Sequence, residues 1–247
     1  MIARPHRHPI PFLRTLTATL LLAALTALTA LVVVRHGRPF GTDTALHGWV
    51  LTHRHPALDR FGVDLAVTGT GAPAYAVAAV TGALATGTRR WWWRGALVGV
   101  TALALAELLR ISLATAIARP RPPRADWLAY ASGYAFPSGH TTTSALLAIG
   151  LAAALLTRSQ RPFARAAAVL GPTLWAFAVG VDRVYLGVHW PTDVLAGWLL
   201  AALIGCVLLP PLGALTRALS SSPAAWPTGG WWPRPESSPE PSRDRDE

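Results

Sequence analysis

The chain contains no lysine; all 22 of its basic residues are arginine. It has a single cysteine, Cys206, set inside an apolar run. That excludes an intrachain disulfide and a cysteine metal cluster, and a thiol among apolar neighbours reads as a small packing residue. Acids are scarce as well, 12 in 247 residues, and Asp182 and Asp193 are the only carboxylates between Trp127 and Pro235. The arginines stand singly or in pairs at the ends of apolar runs. They form no continuous basic stripe, which excludes a nucleic-acid partner and fits anchoring at lipid headgroups. The net charge of +10 is also uneven. From Ser220 onward three arginines face five acids, leaving the tail at −2 and the body at +12.

What the chain has in abundance is apolar residues, 52 % of the total, arranged in long blocks without amphipathic alternation. That pattern predicts an all-α, polytopic membrane helix bundle. Six uncharged or nearly uncharged runs stand out, at residues 15–34, 65–88, 95–118, 137–157, 166–181 and 194–209. The first could be read as a signal peptide, but its apolar core is too long for one. Gly69, Gly71, Pro73 and Gly82 loosen the second run and permit close helix packing in lipid. Glu107 and Arg110 interrupt the third at an i,i+3 spacing that allows them to neutralise each other. The fifth and sixth are short of a full span, with Pro210-Pro211 taken as the stop of the last. Residues 35–61 hold four histidines (His36, His47, His53 and His55) without metal-ligand spacing, and read as a solvated loop with short helical pieces. Residues 1–219 are expected to form one membrane domain, and the Ser- and Pro-rich residues 220–247 a disordered tail.

Three polar clusters interrupt this apolar chain. The first is Arg119-Pro120-Arg121-Pro122, which cannot continue a helix. The second is Pro137-Ser138-Gly139-His140 at the start of the fourth run, where unpaired helix N–H groups favour an anion and a glycine admits it close to the backbone. The third is Arg183-x5-His189-x3-Asp193. Charged groups beside hydrocarbon are costly and are seldom placed there without a role. A histidine held by an aspartate beside an arginine is equipped to attack phosphorus, since the guanidinium fork binds phosphate oxygens and the carboxylate orients the ring. Span parity puts all three clusters on one membrane face. Once arginines with a chemical task are discounted, the remaining ones favour cytoplasmic termini and an extracytoplasmic site.

In this order the three clusters resemble the type 2 phosphatidic acid phosphatase superfamily of membrane lipid phosphatases, which includes undecaprenyl-diphosphate phosphatases. The resemblance covers roughly residues 65–209. It implies a lipid phosphate or diphosphate substrate, no cofactor and no metal. By motif, His189 is implied as the nucleophile that forms a phosphohistidine, Asp193 as the group that orients it, and His140 as the general acid. Arg121, Arg183, Ser138 and Gly139 are implied as the phosphate holders. Two departures stand out. The family's first-motif lysine falls on Ala114, leaving Arg110, one helical turn back, as a substitute cation. The usual serine before the third-motif arginine is Asp182. A phosphotransferase using the same site is the second enzyme reading. A lipid-binding or transport relative that has lost turnover is the reading without catalysis.

Overall fold

The computed structural model describes residues 9–220, with side chains from 12 to 219. Among these residues the secondary structure is eight α-helices and one short 3-10 turn, with no strand. The helices are α1 (Pro9–Val34), α2 (Gly41–Thr52), α3 (Pro56–Thr68), α4 (Gly71–Thr86), α5 (Trp92–Ile117), α6 (Gly139–Leu156), α7 (Pro162–Tyr185) and α8 (Pro191–Ser220). Five of them are long and apolar enough to cross a bilayer. The pair α3 and α4, bent by 52° at its break, supplies a sixth crossing if counted as one span. The protein is therefore a multi-pass membrane protein. The expectations for residues 1–8 and for the tail from residue 221 lie outside the described residues.

Helix association in lipid relies on close packing, since the tails outside are as apolar as the side chains inside. The α4–α5 seam shows how close. A Cβ on Gly82 would stand 1.9 Å from the Gly95 carbonyl oxygen, and one on Gly95 2.1 Å from that of Gly82. Helix α6 lies between α7 and α8, and α1 packs on α8. There Leu25 and Val32 are buried against Phe136, Ala196 and Leu200.

Three expectations about the elements need correction. Pro210 and Pro211 do not stop α8, which runs 30 residues through both. Each proline removes one intrahelical bond, a loss that membrane helices absorb through neighbouring groups. The second run is not one helix, because Thr70 and a left-handed Gly71 (φ 61°) divide it. Residues 35–61 are not simply a solvated loop either. Asp43 and His47 of α2 are buried, the first completely. They turn inward because their partners lie there, the Arg119 guanidinium and Thr192 for Asp43 and the Asp126 carboxylate for His47.

Candidate active site

Helix ends bring the three polar clusters together. Helix α5 stops at Ile117, with Ala118 left-handed (φ 53°), and the chain then turns through Arg119-Pro120-Arg121-Pro122. The Ala135 N–H donates to the Arg119 carbonyl at 2.9 Å, and the Ser138 N–H donates to the Asp193 carbonyl at 3.1 Å. The second cluster is thus stitched to both of the others by backbone bonds. Gly197 allows α6 and α8 to meet beneath them, since a Cβ there would lie 2.9 Å from that of Thr141.

His189 sits in the turn between α7 and α8 and is 2 % exposed. Arg121 Nη1 lies 2.8 Å from its Nε2. A guanidinium can only donate, so Nε2 is the acceptor and the proton of the neutral ring is on Nδ1. Nδ1 faces Asp193 Oδ2 at 3.5 Å, a long approach that makes no hydrogen bond. Burial, reinforced by the charges of Arg121 and Arg183, holds the ring well below its ordinary value of 6.5. At neutral pH the imidazole is therefore uncharged, with its lone pair on Nε2.

Arg121 and Arg183 both bear on the charge of this ring, and Ser138 and His140 stand at the start of α6. Burial chiefly, together with Arg110 and Arg183, brings the Arg121 guanidinium down to about 10 against the supporting charge of Asp193. It stays charged at pH 7. Its remaining N–H groups are tied to the carbonyls of Ser132, Gly133, Tyr134 and Val188. Arg121 also lines a cleft of about 330 Å³ together with Arg124, Trp127, Tyr130 and Tyr134. Arg183 is 2 % exposed and pairs with Asp182 through Nη2, while its buried Nε has no hydrogen-bond partner. Asp182 thus holds the arginine it precedes. His140, one residue into α6, lies in the field of Arg183, His189, Arg121 and Arg110. Ser138 is fully buried and accepts from the Thr141 hydroxyl at 3.0 Å, leaving its own proton free to donate.

Arg110 does not pair with Glu107. The Glu107 oxygens accept from the Tyr75 hydroxyl at 2.7 Å and from the Thr143 hydroxyl at 3.3 Å. The Arg110 guanidinium instead reaches the start of α6, where a Cβ on Gly139 would stand 3.2 Å from its Cζ. All eight residues singled out in the sequence (Arg110, Arg121, Ser138, Gly139, His140, Arg183, His189 and Asp193) therefore gather at one end of the bundle. A cation stands near the position left open by Ala114.

Sequence reasoning missed the layer behind them. Arg119 is fully buried, and its Nη1 donates to Asp193 Oδ1 at 2.5 Å and to Thr192 Oγ1 at 2.7 Å. Its Nη2 donates to Asp43 Oδ2 at 2.7 Å. Asp43 also accepts from the Thr192 N–H at 3.0 Å and its hydroxyl at 2.8 Å. Further out, His47 Nε2 lies 3.0 Å from Asp126 Oδ2, and Arg54 donates to the carbonyls of Asp126 and Tyr185. The available signal was scarcity: in a chain with so few acids, a carboxylate at position 43 merited a partner.

The chain is similar to known proteins in this same region. The family model described as the PAP2 superfamily matches residues 95–215. Phosphatidylglycerophosphatase B of Haemophilus influenzae is 40 % identical over 80 residues, covering 31 % of this chain and 32 % of the relative. Undecaprenyl-diphosphatase of Sulfolobus acidocaldarius is 41 % identical over 71 residues, covering 29 % and 30 %. These matches span about a third of the relatives' own length. Among solved structures, a transmembrane PAP2 type phosphatidylglycerolphosphate phosphatase from Bacillus subtilis superposes with a TM-score of 0.67 at 26 % identity, covering 78 % of this chain and 94 % of that one. The matched segment holds all three polar clusters and the helix ends that assemble them, and the chain carries a PAP2 superfamily domain at residues 95–215.

Proposed function

We propose that the protein is a metal-independent lipid phosphatase that cleaves a phosphate monoester or diphosphate from a membrane lipid through a phosphohistidine at His189. The observation that carries this reading is a neutral, buried imidazole whose Nε2 is 2.8 Å from a guanidinium, with a second guanidinium that keeps an unpartnered Nε. Phosphoryl transfer asks mainly for positioning and for charge on the non-bridging oxygens, and this set offers both.

In the first step, Nε2 of His189 bonds to phosphorus and the bond from phosphorus to the leaving oxygen breaks. Arg121 exchanges its contact with Nε2 for one with a non-bridging oxygen. Arg183 and Arg110 take others, with the Ser138 hydroxyl and the Gly139 N–H at the start of α6. His140 enters this step as the imidazolium, a form favoured once the anionic phosphate is bound beside it, and gives its proton to the leaving oxygen, becoming neutral. Asp193 faces the cationic ring that results. In the second step, water attacks phosphorus, His140 takes the water's proton, the N–P bond breaks and inorganic phosphate leaves. The tail of the lipid stays in the bilayer while the headgroup reaches the helix ends. Residues 1–219 form the phosphatase domain in this reading, with cytoplasmic termini and an extracytoplasmic site.

The test is phosphate release by detergent-purified protein, in the presence of chelator, from phosphatidic acid, phosphatidylglycerol phosphate and undecaprenyl diphosphate. Release from at least one, inhibition by vanadate and a loss of about 10³-fold or more in His189→Ala are expected. No release from any of them would overturn the reading in favour of a lipid-binding relative, as would a His189→Ala variant with wild-type turnover. Arg110→Gln should raise KM about tenfold if Arg110 stands in for the lysine absent at position 114.

A further inference from the structure

Asp43 lies outside the matched residues 95–215, on a helix that contributes none of the motif side chains. It is nevertheless fully buried and reaches the centre from 150 residues away in the chain, since Asp193 minus Asp43 is 150 positions. Its Oδ1 accepts the Thr192 N–H at the first turn of α8. Its Oδ2 accepts from Arg119, from the Thr192 hydroxyl and from the Phe40 N–H. The two carboxylates Asp43 and Asp193 therefore share one guanidinium, and all three side chains are 0 % exposed.

Charge arithmetic gives this arrangement a consequence. Arg119 sits 2.5 Å from Asp193 Oδ1, while Oδ2 of the same carboxylate is the atom that faces His189. An arginine that close, acting alone, would cancel the charge that Asp193 presents to the ring. With Asp43 ionised, two negative charges meet one positive charge and the cluster retains a net −1. We propose that Asp43 is a positioning residue of the catalytic centre: it balances Arg119, so that the guanidinium holds Asp193 in place while the cluster as a whole stays net negative beside His189. Through Thr192 it also fixes where α8 begins, and with it the register of Asp193. The inference rests on His189 acting as the nucleophile. It adds α2 to the parts that turnover requires.

The experiment is a charge-balance cycle measured by phosphate release in detergent: wild type, D43N, R119Q and D43N/R119Q. Folding is judged by monodisperse elution. Asp43→Asn is isosteric and keeps one acceptor, so it changes charge more than shape. A folded D43N should lose roughly 10- to 100-fold in kcat, with KM within about threefold of wild type, because the phosphate-holding arginines are untouched. The double variant returns the cluster to net −1 and should regain at least about tenfold in kcat over D43N. A purely structural staple would show no such recovery. Unchanged kcat in folded D43N overturns the proposal, and so does a folded double variant no better than D43N. If D43N does not fold, the double variant is compared directly with wild type. A kcat within tenfold supports the balance; a larger loss, or a double variant that does not fold, overturns it by assigning the cluster to the fold alone. Absence of turnover in the wild type would instead bring down the phosphatase reading itself.

Discussion

Arginine serves both ends of this bundle, and the two sets differ in what they touch. At the far end, Arg158 donates to the Leu84 carbonyl, Arg165 to Leu156 and Arg94 to Leu219. Those are last-turn carbonyls of α4, α6 and α8, left without an i+4 N–H inside their helices; that of Leu84 also accepts the Gly87 N–H. Arg94 also stacks over Trp91, 3.7 Å from the ring centroid. Each of these arginines caps a helix end, and they are not joined to one another. At the other end, Arg121 contacts the His189 imidazole, the charges of Arg183 and Arg110 bear on the same ring, and Arg119 is locked between the carboxylates of Asp43 and Asp193. The far end also leaves room. A cavity of about 330 Å³, lined by glycine, alanine and leucine, lies between α4, α5, α6 and α8. The same side chain is thus a replaceable anchor where it caps a helix, and an irreplaceable part where several share a pocket.

The comparison breaks most visibly under substitution by lysine, which keeps the charge and loses the fork. Arg183→Lys should reduce kcat/KM about 10²-fold, whereas Arg158→Lys should stay within about twofold of wild type. Both are read as phosphate release from the same lipid. Equal losses at the two positions would erase the distinction. Stability separates the ends next. Arg119→Met leaves Asp43 and Asp193 buried without their shared partner and should cost about 3–5 kcal/mol. Arg94→Met removes one contact to a helix terminus and the stack on Trp91, and should cost about 1–2 kcal/mol. Thermal unfolding in detergent measures both, and a small loss in Arg119→Met would show that the buried cluster does not hold the site end together.

What could be read from residues alone follows the same division. The converging side chains were legible because each motif is local: Pro137 to His140, and Arg183 to Asp193, fit within a few helical turns. Span parity then placed the clusters on one face. Arg119 was not separable from Arg121 by position, because both lie in one Arg-Pro-Arg-Pro run. Only the fold turns one toward His189 and the other toward Asp43. Asp43 was hidden for a stronger reason. Its partners lie 76 and 149 residues away, and in sequence a polar stretch with four histidines looks solvated. Proline carried the opposite error. In water Pro210-Pro211 would end a helix, but within a bundle α8 continues through them. Arg110 was ambiguous between pairing with Glu107 and reaching the site in place of the missing lysine, and Glu107 is instead taken up by Tyr75 and Thr143.

The smallest expected effect concerns His189 itself, and it tests whether the site end is as closed as its arginines require. Burial and the adjacent guanidiniums lower the ring in the folded state, while the unfolded chain returns it to about 6.5. Below that value the unfolded chain binds a proton that the folded protein does not. Stability then rises with pH where the two states differ, so it is complete above about pH 7 and is lost as pH falls through 6.5. The slope from one such group is on the order of 1.4 kcal/mol per pH unit. Thermal unfolding of wild type and His189→Gln between pH 7.5 and 5.5 should show the wild type losing stability faster than the variant, whose amide does not titrate. Parallel curves would mean that the ring takes up its proton in the folded protein, and that water reaches a nitrogen the arginines are here described as enclosing.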